Sequence, residues 1–271
     1  MGTKFDRYRI DEGDRVDLSE LPTRDDAAFD GDKDEANARL AELRDEIAVL
    51  QGKLYAEDRQ RLLVVLQAMD TAGKDSTIRD VFKETSPNGV HTSAFGRPSS
   101  EELSHDYLWR VHAHAPARGQ IQLFNRSHYE DVLIVRVDEL VPEKVWKRRY
   151  EHIRNWEQML ADEGTTILKF FLHISHDEQR ERLQERLDIP EKNWKFESAD
   201  LTVRESWGDY MSAYEDAIEK TSTKDAPWFV IPADRRWYRK LAVAEIVKAT
   251  LEEMDPKYPP PEDGLEDLVV V

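Results

Sequence analysis

Five apolar residues, Leu62-Leu63-Val64-Val65-Leu66, run into Gln67-Ala68-Met69-Asp70-Thr71-Ala72-Gly73 and then into Lys74-Asp75-Ser76-Thr77-Ile78. A short β-branched run ended by turn residues is how a strand buried in a parallel sheet reads. Gly73 lets the backbone turn so that successive N–H groups can face an anion. The helix that follows adds its positive dipole end, and Lys74 adds a mobile point charge. Strand, glycine, lysine and helix in this order are the context a phosphate-binding loop needs. The order commits the chain to an α/β architecture, with Ala72, Gly73, Asp75 and Ser76 along the phosphate path. The competing reading, a plain loop with an exposed lysine, leaves that order unexplained.

Two departures from the usual loop are informative. Ala68 stands where a first glycine is common, and Asp75 where a hydroxyl residue usually follows the lysine. A carboxylate at Asp70, inside a loop meant for phosphate, would repel the ligand unless a cation lay between them. Asp70 is therefore expected to lie near a hard divalent metal, Mg²⁺.

The same strand–helix alternation continues along the chain. Apolar residues Leu40, Leu43, Ile47, Leu50 and Leu54 recur every three or four positions and predict a helix over 35–55. Further helices are expected from about 76, over 101–113 behind a Ser99/Glu102 capping box, over 128–139, 142–162, from the Ser175/Glu178 box onward, 201–221 and 238–254. Strands are expected at 90–95, 120–124, 165–174 and 228–231. This pattern predicts a three-layer α/β/α sandwich around a parallel sheet. Residues 1–34 read as an acidic, extended or partly ordered arm, 35–255 as the domain, and 256–271 as an acidic, linker-like tail.

The net charge of −17 matters less than where it sits. Residues 11–50 hold 14 Asp/Glu against 5 Lys/Arg, and residues 251–271 hold 7 against 1. The middle, 51–250, carries a net of only −4, so a basic cleft is feasible there. No Lys/Arg cluster with interleaved aromatics marks a nucleic-acid surface. The chain has no cysteine, no signal-like start and no apolar run of the ~20 residues that would span a membrane. The expected setting is the cytoplasm.

Arg126, just past the strand at 120–124, falls where open α/β sheets bind ligands and is a candidate phosphate clamp; a structural pair with Asp131 is the alternative. Lys83, Arg97 and Arg110 complete a predicted row of cations for an extended polyanion. The helix carrying Arg180, Arg182 and Arg186, with Lys195 in the polar loop after it, reads either as a lid over 176–200 or as a solvated face. His112 and His114 diverge on a helix and do not predict a zinc site. The seven tryptophans are expected in core or interface.

Several longer strings resemble the polyphosphate kinase 2 family. They are Ala68-Met69-Asp70-Thr71-Ala72-Gly73-Lys74-Asp75, Phe124-Asn125-Arg126-Ser127-His128-Tyr129-Glu130-Asp131, Lys169-Phe170-Phe171-Leu172-His173-Ile174-Ser175, Asp188-Ile189-Pro190-Glu191-Lys192-Asn193-Trp194-Lys195-Phe196 and Ala226-Pro227-Trp228. The resemblance covers about 35–255. It implies a thymidylate-kinase-like P-loop fold with a helical lid, and reversible phosphoryl transfer between inorganic polyphosphate and the adenine nucleotides AMP, ADP and ATP, with Mg²⁺ or Mn²⁺. It implies Asp70 on metal, Lys74 and Arg126 on phosphates, and Arg180 and Arg182 in the lid. Asn125 and Glu130 look like the class III branch, which accepts AMP as well as ADP. A homodimer or homotetramer is implied. The rivals are an ATP-dependent nucleoside or nucleotide kinase and a nucleotide-binding switch; a guanine-selective switch would carry an Asn-Lys-x-Asp signature, and none occurs.

Overall fold

The computed structural model describes residues 3–264, and among these six strands form one sheet. They are β1 (Arg9–Ile10), β2 (Arg61–Gln67), β3 (Val90–Ala94), β4 (Ile121–Asn125), β5 (Thr165–His173) and β6 (Trp228–Pro232). The spatial order is β1-β6-β5-β2-β4-β3, with β2 to β6 parallel and the two-residue β1 antiparallel on the edge. Leu62 to Leu66 are almost wholly buried, as a strand with neighbours on both sides and helices on both faces requires.

The helices are α1 (Lys33–Glu57), α2 (Lys74–Val81), α3 (Trp109–His112), α4 (Ile134–Val137), α5 (Glu143–Asp162), α6 (His176–Asp188), α7 (Ala199–Glu205), α8 (Trp207–Thr221) and α9 (Arg236–Met254). α1, α2 and α9 pack together in one layer; α4, α5 and α8 pack together in the other. α1 begins where Asp32 accepts hydrogen bonds from the N–H groups of Asp34 and Glu35, while the Glu35 carboxylate reaches back to the Asp32 N–H at 2.8 Å. Its buried face is Leu40, Leu43, Ile47 and Leu54, four of the five positions the periodicity names.

Three helical expectations differ in detail. The 101–113 segment is a 3-10 turn at Glu102–Ser104 followed by α3. The Ser99/Glu102 box does form, but Asp106 Oδ1 accepts from the N–H groups of Leu108 and Trp109 at 3.0 and 3.1 Å and starts a fresh turn. The 128–139 segment is a 3-10 turn at His128–Val132 and then α4, broken at Leu133 (φ −104°, ψ −90°). The 201–221 helix is two helices, α7 and α8, parted at Ser206 just before Gly208, a weak helix former. The polar loop expected after the Arg180/Arg182/Arg186 helix holds a 3-10 turn, Pro190–Lys195.

The acidic N-terminal segment is laid on the core. Phe5, Tyr8, Val16, Leu18 and Ala28 are buried, Tyr8 and Tyr238 share a hydroxyl hydrogen bond at 2.6 Å, and β1 extends the sheet. The Asp/Glu side chains there lie among these apolar anchors, which a composition-based reading averages away. The acidic tail extends in part beyond the described residues: positions 265–271 lie outside them. Among the described residues no helix is long and apolar enough to cross a membrane.

Candidate active site

In the parallel register Leu66 sits beside Asn125 on one side and Phe170 on the other, so β2 and β4 end together while β5 runs on to His173. The chain crosses from β4 to β5, on opposite sides of β2, and the loop after β2 lies at that switch point. Gly73 closes the loop with φ +106° and caps α2, and Thr71 also has positive φ, +65°. A Cβ at Gly73 would lie closer than 3.0 Å to the Arg239 guanidinium, so glycine is needed for space as well as for φ.

Lys74 is the first residue of α2, only 9% exposed, and its Nζ donates to Ala68 O at 2.8 Å. Burial and then the nearby Arg126 charge pull the ammonium down to about 8, against the opposing pull of Asp70, Glu130 and Asp75. The Ser76 hydroxyl donates to Gly73 O at 3.0 Å and accepts from Arg239 Nη2 at 2.8 Å, so it supports the loop from within.

Arg126 follows β4 directly, with φ +60° and its N–H on Leu66 O at 3.1 Å. Its partner is Asp70, Nη2 to Oδ1 at 2.7 Å, whereas Asp131 pairs with Arg149 at 2.9 Å. Burial works against the Arg126 cation, yet the carboxylates of Glu130 and Asp70 outweigh it and hold the guanidinium above its ordinary value. Glu130 is pushed up by burial, with Arg126 and Lys74 opposing. The Gln67 amide, oriented so that both ends are paired, donates to Glu130 Oε1 at 3.0 Å and accepts from Ser127 Oγ at 3.2 Å. Asn125 Nδ2 donates to Asp75 Oδ1, tying β4 to the start of α2. Asp70, Lys74, Asp75, Arg126 and Glu130 thus converge on one edge of the sheet.

Other expected residues stand elsewhere or are already engaged. Lys83 follows the far end of α2, an eight-residue helix about 12 Å long at 1.5 Å per residue that starts at Lys74, and pairs with Glu84 at 3.5 Å. Arg97 is exposed beyond the carboxyl end of β3, on the site's side of the sheet. Arg110 is held by Glu102 at 3.0 Å and by Gly96 O at 3.1 Å, over the Phe95 ring. Arg180 and Lys195 are exposed, the former 3.6 Å from Asp177. Arg186 ties α6 to Lys195 O and Asp200 at 2.8 and 3.0 Å. Arg182 is the clearest departure from the lid reading. Its Nε donates to Glu178, Nη1 to Thr71 O and Ala72 O, and Nη2 to Ala233 O and Asp234 O, which uses all five N–H groups of a guanidinium. None is left to bind a phosphate.

Sequence reasoning missed Arg239. It lies in the basic start of α9, between Arg236 and Lys240, and only its three-dimensional position, beneath Gly73, sets it apart from them. It also missed the support under Arg126. Lys169 Nζ, 0% exposed, meets Glu157 Oε2 at 2.6 Å, Tyr129 Oη at 3.0 Å and Thr221 O at 2.7 Å. This buried pair anchors the turn that carries Arg126 and Glu130. Of the predicted non-ligands, His112 accepts from Trp156 Nε1 at 3.0 Å, and Trp146, Trp156 and Trp228 are buried, while Trp194 is 77% exposed.

Among the described residues no three His, Asp or Glu side chains form a cation cage. With Asp75 bonded to Asn125 and Glu130 to Gln67, Asp70 is the carboxylate that a metal could take, and this suits one that draws most of its ligands from substrate phosphates and water, as Mg²⁺ does. The arrangement therefore fits a divalent cation brought with its anion.

The family described as Polyphosphate kinase 2 matches residues 30–259. An AMP/ADP-polyphosphate phosphotransferase of Meiothermus ruber is 54% identical over 97% of this chain and 99% of its own length. An ADP-polyphosphate phosphotransferase of Rhodopseudomonas palustris is 44% identical over 96% of this chain and 93% of its own. The crystal structure of Polyphosphate Kinase 2 from Arthrobacter aurescens TC1 superposes with a TM-score of 0.94 at 40% identity, covering 98% of this chain and 95% of that one. The sheet order, the loop after β2 and these likenesses agree, and the chain belongs to the polyphosphate kinase 2 family.

Proposed function

We propose that this chain transfers phosphoryl groups between inorganic polyphosphate and the nucleotides ADP and AMP. The observation that carries the reading is the meeting of Lys74, Arg126 and Asp70 at the shared end of β2 and β4. The names of the relatives from Meiothermus ruber and Rhodopseudomonas palustris supply the substrate class. Polyphosphate offers neither base nor sugar to recognise, so a donor site for it needs cations, backbone N–H groups and a metal ion.

In this reading Lys74 and Arg126 neutralise charge on the moving phosphoryl group, which needs electrostatic stabilisation rather than covalent catalysis. The loop N–H groups up to Gly73 orient the donor. Asp70 would hold Mg²⁺, which would supply a further positive charge beside the phosphates. The terminal P–O bond of the donor breaks as a nucleotide phosphate oxygen bonds to phosphorus, leaving polyphosphate one unit shorter. Glu130, with its raised affinity for a proton, would hydrogen-bond a phosphate oxygen of the acceptor, and we read it as the residue that admits AMP. Arg180 on α6 and Lys195 in the turn after it are exposed and would supply the cations of a lid over the phosphates.

The test is the acceptor. Purified protein given AMP, Mg²⁺ and polyphosphate should form ADP and then ATP. Formation of nucleotide products from ATP and a nucleoside, with none from polyphosphate, would put an ordinary nucleoside kinase in its place.

A further inference from the structure

Two buried guanidinium groups from distant parts of the chain converge on one backbone carbonyl. Ala72 O accepts from Arg182 Nη1 at 3.1 Å and from Arg239 Nη1. Arg239 comes from α9 and is 1% exposed; its Nε donates to Thr77 Oγ1 at 2.9 Å and its Nη2 to Ser76 Oγ at 2.8 Å. Arg182 comes from α6 and binds the turn after β6 with its other nitrogen, through Ala233 O and Asp234 O at 2.8 Å.

The consequence follows from peptide planarity. The C=O of Ala72 and the N–H of Gly73 belong to one trans peptide unit and point in opposite directions. With the carbonyl turned inward onto two arginines, the Gly73 N–H is turned outward, to the face where Lys74 and Arg126 meet. Ser76 and Thr77 both donate to Gly73 O at 3.0 Å and accept from Arg239, so the two peptide units flanking Gly73 are held on the same inner side.

We infer that Arg239, with Arg182, is a positioning residue for phosphoryl transfer, acting through the Ala72 carbonyl to aim the Gly73 N–H at the donor phosphate. The inference rests on the phosphoryl-transfer reading above. Both cations are held by loop and turn groups, and neither is placed to touch the phosphate itself. Their positive charge beneath the loop adds to the field an anion meets there.

The test is Arg239→Lys, which keeps the charge and loses the fork. Assayed on folded protein well below its melting temperature, kcat should fall about 10²-fold with KM for the nucleotide unchanged, the signature of misplacement in the transition state. A lowered melting temperature with parental kcat is what a purely structural residue gives, and it would overturn the inference. Should Arg239→Lys not fold, Thr77→Val removes one Arg239 acceptor and should lower kcat about tenfold by the same route; parental kcat there overturns it equally. Hydrogen exchange of the Gly73 amide, followed by NMR, separates this inference from the functional reading. If the parent transfers nothing from polyphosphate, that reading falls. Faster Gly73 exchange in Arg239→Lys than in the parent still supports the positioning role, and an unchanged rate contradicts it.

Discussion

Arg126 Nη2 stands 2.7 Å from Asp70 Oδ1, so the cation read as a phosphate clamp and the carboxylate read as a metal ligand hold each other at the ends of adjacent strands. In the proposed reaction a phosphate chain arriving with a metal ion would exchange one pair for two: phosphate with arginine, metal with carboxylate. Asp70→Asn removes the charge that makes the second pair, and should cost about 10²–10³ in rate at saturating Mg²⁺. Arg126→Lys should also be damaging, because an ammonium cannot reproduce the planar fork. Parental initial rates in either variant would remove that residue from the mechanism.

Lys74 is expected to set the pH dependence of the proposed transfer. Burial lowers its ammonium to about 8 in the folded protein, so the charged form prevails below that pH and the neutral amine above it. Transfer needs the charge. The kcat/KM profile, which reports the free enzyme, should therefore be level below about pH 8 and decline above it. Bound phosphate favours the ammonium, so the decline in kcat should lie at higher pH. A kcat/KM profile level to beyond pH 10 would contradict this placement of Lys74.

Gly73→Ala tests the loop. The added methyl group meets the Arg239 guanidinium, at a φ of +106° that alanine adopts only with strain. A non-glycine residue in such a conformation costs of order 1–3 kcal/mol. The expected outcome in denaturant unfolding is a loss in that range, with transfer reduced about 10²-fold by the displaced loop. Unchanged stability and rate would show that the turn has another way to close.

The Lys169–Glu157 pair should dominate stability under the site. Both side chains are buried, 2.6 Å apart, and removing one leaves an uncompensated charge, which costs about 3–5 kcal/mol. Glu157→Gln and Lys169→Met should each lose this much in urea unfolding, and the double change to apolar residues, Glu157→Leu with Lys169→Met, should recover most of it. Near-additive losses in the double variant would show that the two residues act separately.

The loop from Ala68 to Asp75 and the strand before it were legible because strand, glycine and lysine are local signals, read at fixed spacing. Arg126 was legible as the first residue beyond a strand, since parallel sheets gather their carboxyl ends. Arg182 and Arg239 were not. An arginine on a helix carries no local mark of what its guanidinium touches, and both reach the loop from more than 100 positions away. Lys169 lies inside an apolar strand, where its partner Glu157 could be found only from the packing of α5 on β5. The three divided helices differ for local reasons: Asp106 caps a fresh turn within 101–113, and the backbone leaves the helix at Leu133 and at Ser206, where periodicity alone would continue it.

The most direct measurement is ATP formation from ADP, Mg²⁺ and inorganic polyphosphate with no other phosphoryl donor, run on the parent and on Lys74→Ala side by side. The account predicts steady ATP synthesis by the parent, arrest when metal is chelated, and a rate in Lys74→Ala lower by about 10²–10³. No ATP from the folded parent, or equal rates from both proteins, would contradict it.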